Sequence, residues 1–532
     1  MPTQCYDGLP IALRPSKGLS AGDVTLPDIF GQILASTAPR VCVIAAPGSG
    51  KTTRVLIPNA AKVLIDDTVD PKEVLLLTFS RLSAMDLKAK VKTMDRAPRA
   101  STVHSLCLAF LISEDNHDIR KRIDSILLDF ERDFVIADLK LVFPSVTRPQ
   151  LQKELEKFSA GWATQPHGKV FEDTPYHRDF KAAVVNWLSE HEAAMMEEIV
   201  YSAVDLAQKL GSPSFIQEPQ YIFVDEVQDL NVLEQEFINL LAADSKRLLV
   251  VGDPDQSIYS FKYAHPEGIK RFGETTELYL SRVTMRCPKV VVAFANQLLK
   301  QADPDRTDLL ESGKTEDGEV HFVRKQRQED EFRYVLCSIA DRLNAAAAPA
   351  EIVVLAPRRI LAAEFASYAN KNKAGLGVAN ETRFVCALKR ESSDLEQERI
   401  LLFSLLVKPN SLLHIRSYLG LRDDHCWARE IKKLKEKYSG LSQIVSSARA
   451  EDFPTGNTRV RQVCESATRL RAFLEEHTAE SPVDADLLPD QLRRPRGLFR
   501  PVLGHDGWLQ QTGPISRQHV DYELLASQYA GQ

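Results

Sequence analysis

The stretch Val41–Thr53, VCVIAAPGSGKTT, joins a short apolar run to a glycine-rich turn that ends in Lys-Thr. The apolar run predicts a buried strand, and the glycines after it let consecutive backbone N–H groups converge on an anion. A helix that begins after the turn would present its positive N-terminal end to the same anion. The stretch therefore predicts a cradle for the phosphates of a nucleotide.

The Lys-Thr pair gives this cradle its chemistry. Lys51 can reach the β- and γ-phosphates of ATP, and the hydroxyl of Thr52 suits a Mg²⁺ ligand, as in the pattern G-x-x-x-x-G-K-[ST]. Ala45 stands where that pattern has its first glycine. An ordinary strand-to-helix turn would explain Gly-Ser-Gly but not Lys-Thr. The predicted nucleotide-binding residues of this stretch are Ala46, Pro47, Gly48, Ser49, Gly50, Lys51, Thr52 and Thr53.

Length and composition describe a folded protein of several domains. The chain has 532 residues, 44% of them hydrophobic and 26% charged, and a chain of this length predicts roughly three or four domains. The eight cysteines form no C-x-x-C pair and no Cys/His cluster, so neither disulfides nor a metal cluster are expected. No apolar run approaches the ~18 residues of a membrane span, and the start resembles no secretory signal, which predicts a cytoplasmic protein with no membrane partner. The net charge of −6 argues against a generally basic surface for nucleic acid, but it is compatible with a local basic groove.

Strand patterns alternate with helical patterns along the first 300 residues. This alternation predicts an α/β fold built on a doubly wound parallel sheet. Beyond the first strand, the strands are expected at Val74–Phe79, at the start of STVHSL (101–106), and at Tyr221–Val224, Arg247–Val251 and Glu277–Leu280. Residues from about 110 to 215 have helical periodicity instead. Two further strands, Glu319–Arg324 and Ile352–Ala356, are expected to flank a helix and begin a second α/β unit, and helices are expected again from about 385.

A second decisive segment is Tyr221–Asn231, YIFVDEVQDLN, in which an apolar strand ends at an acid pair. Asp225 would hold Mg²⁺, directly or through water, and Glu226 would orient and deprotonate the attacking water in phosphoryl transfer. Alone, an Asp-Glu pair is more often a helix start or an exposed turn. Its position after an apolar strand, in a chain with a phosphate cradle, favours the catalytic interpretation.

A third segment is Leu248–Ala264, LLVVGDPDQSIYSFKYA, where another strand is followed by a Gly-Asp-Pro turn. Gln256 at the end of this strand is suited to hydrogen-bond the γ-phosphate and to couple its loss to motion. Tyr259 and Phe261 follow at alternating spacing. They could pack in the core, or they could present ring faces on which unstacked bases lie, which is worth ~1–3 kcal/mol per base.

The order of five segments resembles the superfamily 1 helicases of the UvrD/Rep type. AAPGSGKTT resembles the first motif of that family, and VDEVQDLN resembles its D-E-x-Q-D motif. The other three segments are LLLTFSRLSAMDLKAK, similar to motif Ia, STVHSL, similar to T-F-H-S, and VGDPDQSIYSF, similar to G-D-x-D-Q-S-I-Y. The resemblance covers residues 25–300 well and 315–380 loosely, and it implies a RecA-like core that binds ATP and Mg²⁺ and acts on single-stranded or tailed double-stranded DNA.

The resemblance also implies roles for individual residues. It makes Lys51, Asp225, Glu226 and Gln256 catalytic and places Gln32 against adenine. LYLSRVTMRCP (278–288) resembles L-x-x-N-Y-R-S, which makes Arg286 the arginine that stabilises charge on the γ-phosphate. Residues at the positions where the family contacts single-stranded DNA are Phe79, His104, Tyr259 and Phe261.

The resemblance implies a division of the chain. The expected parts are an irregular lead-in (1–24), a first RecA-like domain (25–110 and 216–305), a helical insertion (111–215), a partial second RecA-like domain (315–384) and a helical or irregular C-terminal region (385–532).

Two functions stay open at this point. The first is an ATP-dependent DNA helicase or translocase moving 3′ to 5′. The second is a module that binds ATP and DNA without unwinding. This function stays open because residues 300–532 contain neither the T-x-H-x-x-K-G-L-E segment nor the later arginine motif of UvrD-type helicases. A P-loop small-molecule kinase fits less well, since it has no use for the Q-D and D-Q-S-I-Y segments.

Overall fold

The computed structural model describes residues 29–114, 119–164, 174–210, 219–269, 277–386, 394–421 and 427–477. The predicted lead-in (1–24) and the end of the C-terminal region (478–532) lie outside these residues. The described residues divide into two compact units, one formed by residues up to 285 together with 394–477, the other by 286–386.

The first unit is built on a six-stranded parallel sheet in the order β3-β2-β4-β5-β1-β6. All but the first residue of β1, β4 and β5, and every residue of β2, are buried, as expected for parallel strands covered on both faces. The predicted α/β fold is therefore confirmed. The strands are β1 (Arg40–Ala45), β2 (Val74–Thr78), β3 (Arg99–Thr102), β4 (Tyr221–Val224), β5 (Arg247–Gly252) and β6 (Glu277–Ser281), followed by the short β7 (Val283–Thr284).

The register of the sheet brings three loops together. Val224 at the end of β4 lies opposite Val250, and Ile44 of β1 lies opposite Gly252 at the end of β5. Ligands of open α/β sheets bind beyond the carboxyl ends of the strands. The phosphate cradle, the acid pair and the Gly-Asp-Pro turn therefore leave the sheet at one edge.

Helices cover the sheet and extend away from it. Side-chain caps explain where several begin, because Ser80 and Thr102 each accept a backbone N–H of the first turn of the helix that follows. The helices near the sheet are α1 (Ile29–Ala35), α2 (Ile57–Val63), α3 (Arg81–Val91), α4 (Val103–Ser113) and α9 (Val232–Ala242), and those between β3 and β4 further include α5 (Arg132–Val142), α6 (Arg148–Thr164), α7 (Pro175–Glu190) and α8 (Met196–Leu210). Among the described residues, no helix combines the length and apolar character that a membrane crossing requires.

The C-terminal helices pack on the insertion helices rather than standing apart. Leu413 shares a core with residues of α5, α6 and α7, and Phe134 of α5 lies in the core of the C-terminal helices. These helices are α13 (Asp394–Val407), α14 (Leu412–Gly420), α15 (Ala428–Tyr438), α16 (Leu441–Ser447) and α17 (Thr458–His477).

The second unit is mainly helical. Its core contains Phe332, Leu336, Ile339, Phe365 and Ala369. Its elements are α10 (Lys289–Ala302), β8 (Glu311–Ser312), α11 (Gln328–Asn344) and α12 (Arg359–Asn372).

The prediction of two strands in this unit is wrong. Residues 319–324 and 352–356 form no strand, although a helix lies between them as expected. Val353 and Leu355 are 76% and 91% exposed, whereas an apolar run forms a strand only where a neighbouring strand satisfies its backbone and a second layer covers its side chains. Among the described residues, neither run has such a strand neighbour.

Candidate nucleotide site and nucleic-acid interface

The phosphate cradle has the backbone geometry that its glycines allow. Gly48 and Gly50 have φ of 72° and 97°, in the left-handed region that favours glycine. A Cβ on Gly50 would lie 2.8 Å from Cδ of Arg54. From Lys51 the chain forms a π-helical turn to Leu56 and continues as α2, so backbone N–H groups at its start point toward the turn.

Lys51 and Thr52 connect the cradle to the neighbouring strands. Lys51 is 7% exposed, and its Nζ donates to the carbonyl of Ala45 at 3.1 Å. Oγ1 of Thr52 donates to Oδ2 of Asp225 at 2.6 Å. The hydroxyl of Ser49 is buried and has no hydrogen-bond partner among the described residues. A cation, a hydroxyl and a carboxylate around an open turn suit a phosphate bound together with a hard divalent cation.

The acid pair follows β4 directly. Asp225 is 4% exposed, and its burial, together with the neighbouring charge of Glu226, raises its pKa to about 6. Glu226 has φ of 53°, which is uncommon for a residue with a side chain and marks a sharp turn at the strand end. Lys51 acts in the opposite direction and lowers the pKa of Asp225. The predicted Lys51, Thr52, Asp225 and Glu226 thus lie together.

Gln256 belongs to a hydrogen-bonded group that the sequence did not reveal. Its Nε2 donates to Oδ2 of Asp253 at 2.7 Å. The backbone N–H of Asp253 donates to Oε1 of Gln228 at 2.9 Å, and Nε2 of Gln228 donates to Oε2 of Glu226 at 2.8 Å. Arg282 lies 3.5 Å from Asp253. The polar residues inside the quoted segments VDEVQDLN and VGDPDQSIYSF were the available signal for Gln228 and Asp253.

Two predicted site residues, Gln32 and Arg286, are exposed and lie outside the group formed by Lys51, Thr52, Asp225 and Glu226. Gln32 is exposed on α1. Phe30 of the same helix contacts the turn Lys51–Leu56, because the guanidinium of Arg54 lies 4.0 Å from the centre of its ring. Met285 donates its backbone N–H to the carbonyl of Gly48 at 3.2 Å. Arg286 is the next residue and is exposed, but it belongs to the second unit. The roles of Gln32 and Arg286 remain predictions.

The predicted nucleic-acid residues form an aromatic pair with a basic neighbour. The rings of Phe79 and Tyr259, both half-buried, lie 5.0 Å apart between centroids, and Nζ of Lys262 lies 5.8 Å from each ring. Phe261 lies in the turn Ser260–Lys262, and its side chain is outside the described part of the structure.

His104 is paired rather than free to face a ligand with both ring nitrogens. Its Nδ1 lies 3.0 Å from Oε1 of Glu234. Burial lowers the pKa of His104, but the hydrogen bond and charge of Glu234 outweigh that effect, so the pKa is raised. A structural role in fixing the start of α9 is consistent with this contact.

A glycine-rich phosphate cradle after β1, an acid pair after β4 and one parallel sheet define a P-loop nucleotide-binding domain of the RecA-like α/β class. Residues 29–277 match the model of the UvrD/REP helicase N-terminal domain. This matched segment, slightly less than half of the chain, holds the motifs that resemble those of the UvrD/Rep type.

Two curated relatives are similar to the chain over part of their length. The chain is 28% identical to the ATP-dependent DNA helicase PcrA of Staphylococcus aureus (strain Mu50) in an alignment 335 residues long, which covers 58% of this chain and 44% of that protein. It is 26% identical to the PcrA of Staphylococcus epidermidis (strain ATCC 12228) in an alignment 351 residues long, which covers 61% of this chain and 46% of that protein. The chain thus matches slightly less than half the length of these relatives.

Proposed function

We propose that the chain binds ATP with Mg²⁺ and hydrolyses it to move along single-stranded DNA in the 3′ to 5′ direction, unwinding duplexes with a single-stranded tail. The observation that carries the proposal is the 2.6 Å contact between Thr52 and Asp225. It unites the phosphate cradle with the acid pair, which is the arrangement that phosphoryl transfer requires. The relatives named above are ATP-dependent DNA helicases, which favours the same activity.

The proposed roles follow from the contacts. Thr52 and Asp225 would hold Mg²⁺, which when bound neutralises charge on the phosphates. Lys51 binds the β- and γ-phosphates, and Glu226 holds and deprotonates the attacking water. Gln256 senses the γ-phosphate. Gln32 and Arg286, the first against adenine and the second against the γ-phosphate, complete the proposed set.

The proposed path of DNA runs over the paired rings of Phe79 and Tyr259. Aromatic faces accept any base by stacking, and a nearby lysine attracts the phosphate backbone. The position of Lys262, 5.8 Å from both rings, supports this assignment despite the net charge of −6. We assign Phe261 and His104 to the same path by resemblance to the family.

A nucleotide-dependent binding module is the second candidate. The absence of the two late helicase motifs from residues 300–532 favours it. Such a module would bind ATP and DNA at the same residues but would neither translocate nor separate strands.

The test measures ATP hydrolysis with and without single-stranded DNA for the wild type, Lys51→Ala and Glu226→Gln. The matched controls are Lys72→Ala, which removes an exposed lysine, and Glu236→Gln, which neutralises a half-buried glutamate on α9. A motor shows DNA-stimulated turnover that falls by about 10²-fold or more in both site variants and stays near wild type in both controls.

Two further outcomes separate the candidates. ATP binding with turnover at background in the wild type would exclude the motor and favour the binding module. Strand separation on duplexes with a 3′ tail, compared with a 5′ tail, tests unwinding and its direction.

A further inference from the structure

Gln228 joins the acid pair to the loop that carries Gln256. Its side chain is 1% exposed and makes two hydrogen bonds in opposite directions. Oε1 accepts the backbone N–H of Asp253 at 2.9 Å, and Nε2 donates to Oε2 of Glu226 at 2.8 Å. A backbone N–H can only donate, so the N–H of Asp253 fixes Oε1 as its acceptor and leaves Nε2 facing Glu226.

The surroundings hold this amide in place. A Cβ on Gly252 would lie 2.5 Å from Oε1 of Gln228, so the side chain fills the space beside the end of β5. Oγ of Ser257 also donates to the backbone carbonyl of Gln228 at 3.2 Å. Because the amide has little room, a shift of the Asp253–Ser257 loop must move Gln228 or break one of its bonds.

The same loop leads to the aromatic pair. Asp253 accepts from Gln256, and Tyr259 follows three residues later with its ring 5.0 Å from that of Phe79. A continuous set of contacts therefore runs from the proposed DNA-contacting ring through the loop and Gln228 to Glu226.

We propose that Gln228 is a positioning residue that holds Glu226 in the place set by the Asp253–Ser257 loop, so that DNA at Tyr259 accelerates ATP hydrolysis through it. The inference rests on the proposed function, in which Glu226 is the general base and Tyr259 contacts DNA. Gln228 itself touches neither nucleotide nor DNA in this assignment. Its effect is on the placement of the base, and misplacement of a catalytic group lowers the rate without a matching loss of binding.

The test compares Gln228→Leu with Gln235→Leu. Leucine removes both hydrogen bonds of Gln228 at similar size. Gln235 is also buried, at 4% exposure, but its Nε2 donates to the backbone carbonyls of Val227, Leu230 and His265. The full chain is assayed for ATP hydrolysis with and without oligo-deoxythymidine, for affinity for a fluorescent ATP analogue, and for thermal unfolding.

The expected result is a DNA-stimulated kcat at least about tenfold lower in Gln228→Leu, with affinity for the analogue within about threefold of wild type. The ratio of stimulated to basal rate falls toward one. Gln235→Leu keeps the wild-type ratio whatever its cost in stability. Gly252→Ala, which crowds Oε1 while leaving the glutamine present, gives the same loss of ratio and serves if Gln228→Leu does not fold.

Two results overturn the inference alone. One is a folded Gln228→Leu whose stimulation ratio stays within about twofold of wild type; the other is an equal fall of the rate with and without DNA, which separates Gln228 from the loop. A wild type that hydrolyses no ATP while Gln228→Leu behaves like it refutes the proposed function, and the inference falls with it.

Discussion

Acidic residues lie close together at the candidate nucleotide site, and two of them have raised pKa values. Burial, and then the charge of Glu226, raises the pKa of Asp225 to about 6 and that of Asp229 to about 7. One carboxylate oxygen of Asp229 is buried with no hydrogen-bond partner among the described residues. Lys51 lowers the pKa of both groups. Buried carboxylates that lie close together destabilise a fold, and perturbed pKa values cluster at functional sites. The position of Asp225 and Asp229 after β4, beside the phosphate cradle, therefore favours a functional role.

Glu131 has a raised pKa outside this site and gives a pH-dependent prediction. It is fully buried, and burial raises its pKa from 4.5 to about 7, although it accepts the N–H of Leu128 at 2.9 Å. The folded state therefore holds the proton more tightly than the unfolded state. Stability is undiminished below about pH 4.5, falls as pH rises toward 7, and levels off above it.

Glu131→Gln should remove this dependence, because glutamine still accepts the N–H of Leu128 and carries no charge. We expect its free energy of unfolding to exceed that of wild type by about 2–3 kcal/mol at pH 8 and by little at pH 4.5. Urea unfolding at the two pH values measures the difference. Asp133→Asn, at a mostly exposed site in the next turn, is the control, and an equal gain at both pH values in Glu131→Gln would contradict the explanation.

At the scale of elements, the strands of the sheet were predictable and the helix interfaces were not. Buried parallel strands read as continuous apolar runs, so β2, β4 and β5 could be predicted from their own residues. The runs at 319–324 and 352–356 also favour strands locally, but neither has a strand neighbour among the described residues, and local sequence cannot report a missing neighbour. The candidate site followed the same rule: Lys51 and Asp225 carry local signals, whereas Gln228 depends on a contact with Asp253, 25 residues away.

A buried ion pair joins the insertion helices to the C-terminal helices. Arg416 of α14 is fully buried and donates from Nη2 to Oδ1 of Asp138 on α5 at 2.7 Å. Nε1 of Trp187 on α7 donates to the other oxygen at 2.8 Å. Burial raises the pKa of Asp138, but Arg416 outweighs this effect and the pKa is lowered. The pair spans 278 residues of sequence and fixes how these elements meet.

Replacing one partner of the pair should lower the free energy of unfolding more than replacing both partners. Asp138→Asn keeps the acceptor for Trp187 but leaves the buried guanidinium without its counter-charge, and we expect a loss of about 3–5 kcal/mol. The double variant Asp138→Asn with Arg416→Met should recover most of that loss, since no buried charge remains. Urea unfolding of both single variants and the double variant gives the coupling energy. Additive losses in the double variant would show that the pair does not act as a unit.

At the scale of the whole molecule, the chain has cores of very different size. Within its described residues, the sheet unit contains four clusters of buried apolar residues. The described part of the other unit, residues 286–386, has one small cluster and exposes Val353 and Leu355. Apolar burial drives folding roughly in proportion to area, so the small unit should open at lower free energy than the sheet.

Native-state hydrogen exchange tests this difference. We expect the amides of α11 and α12 to exchange through openings of lower free energy than those of β1, β4 and β5. Phe365→Ala removes a ring that packs 5.4 Å from that of Phe332, and a core truncation of this kind costs about 3–5 kcal/mol. Because the small core has little else to hold it, protection of α11 and α12 should be lost while the strands keep theirs.

Phe237→Ala, the same change in the core of the sheet unit, should lower protection of the strands and leave α11 and α12 unchanged. Loss of protection throughout the chain in Phe365→Ala would mean that the two cores unfold as one cooperative unit, contrary to their separate packing.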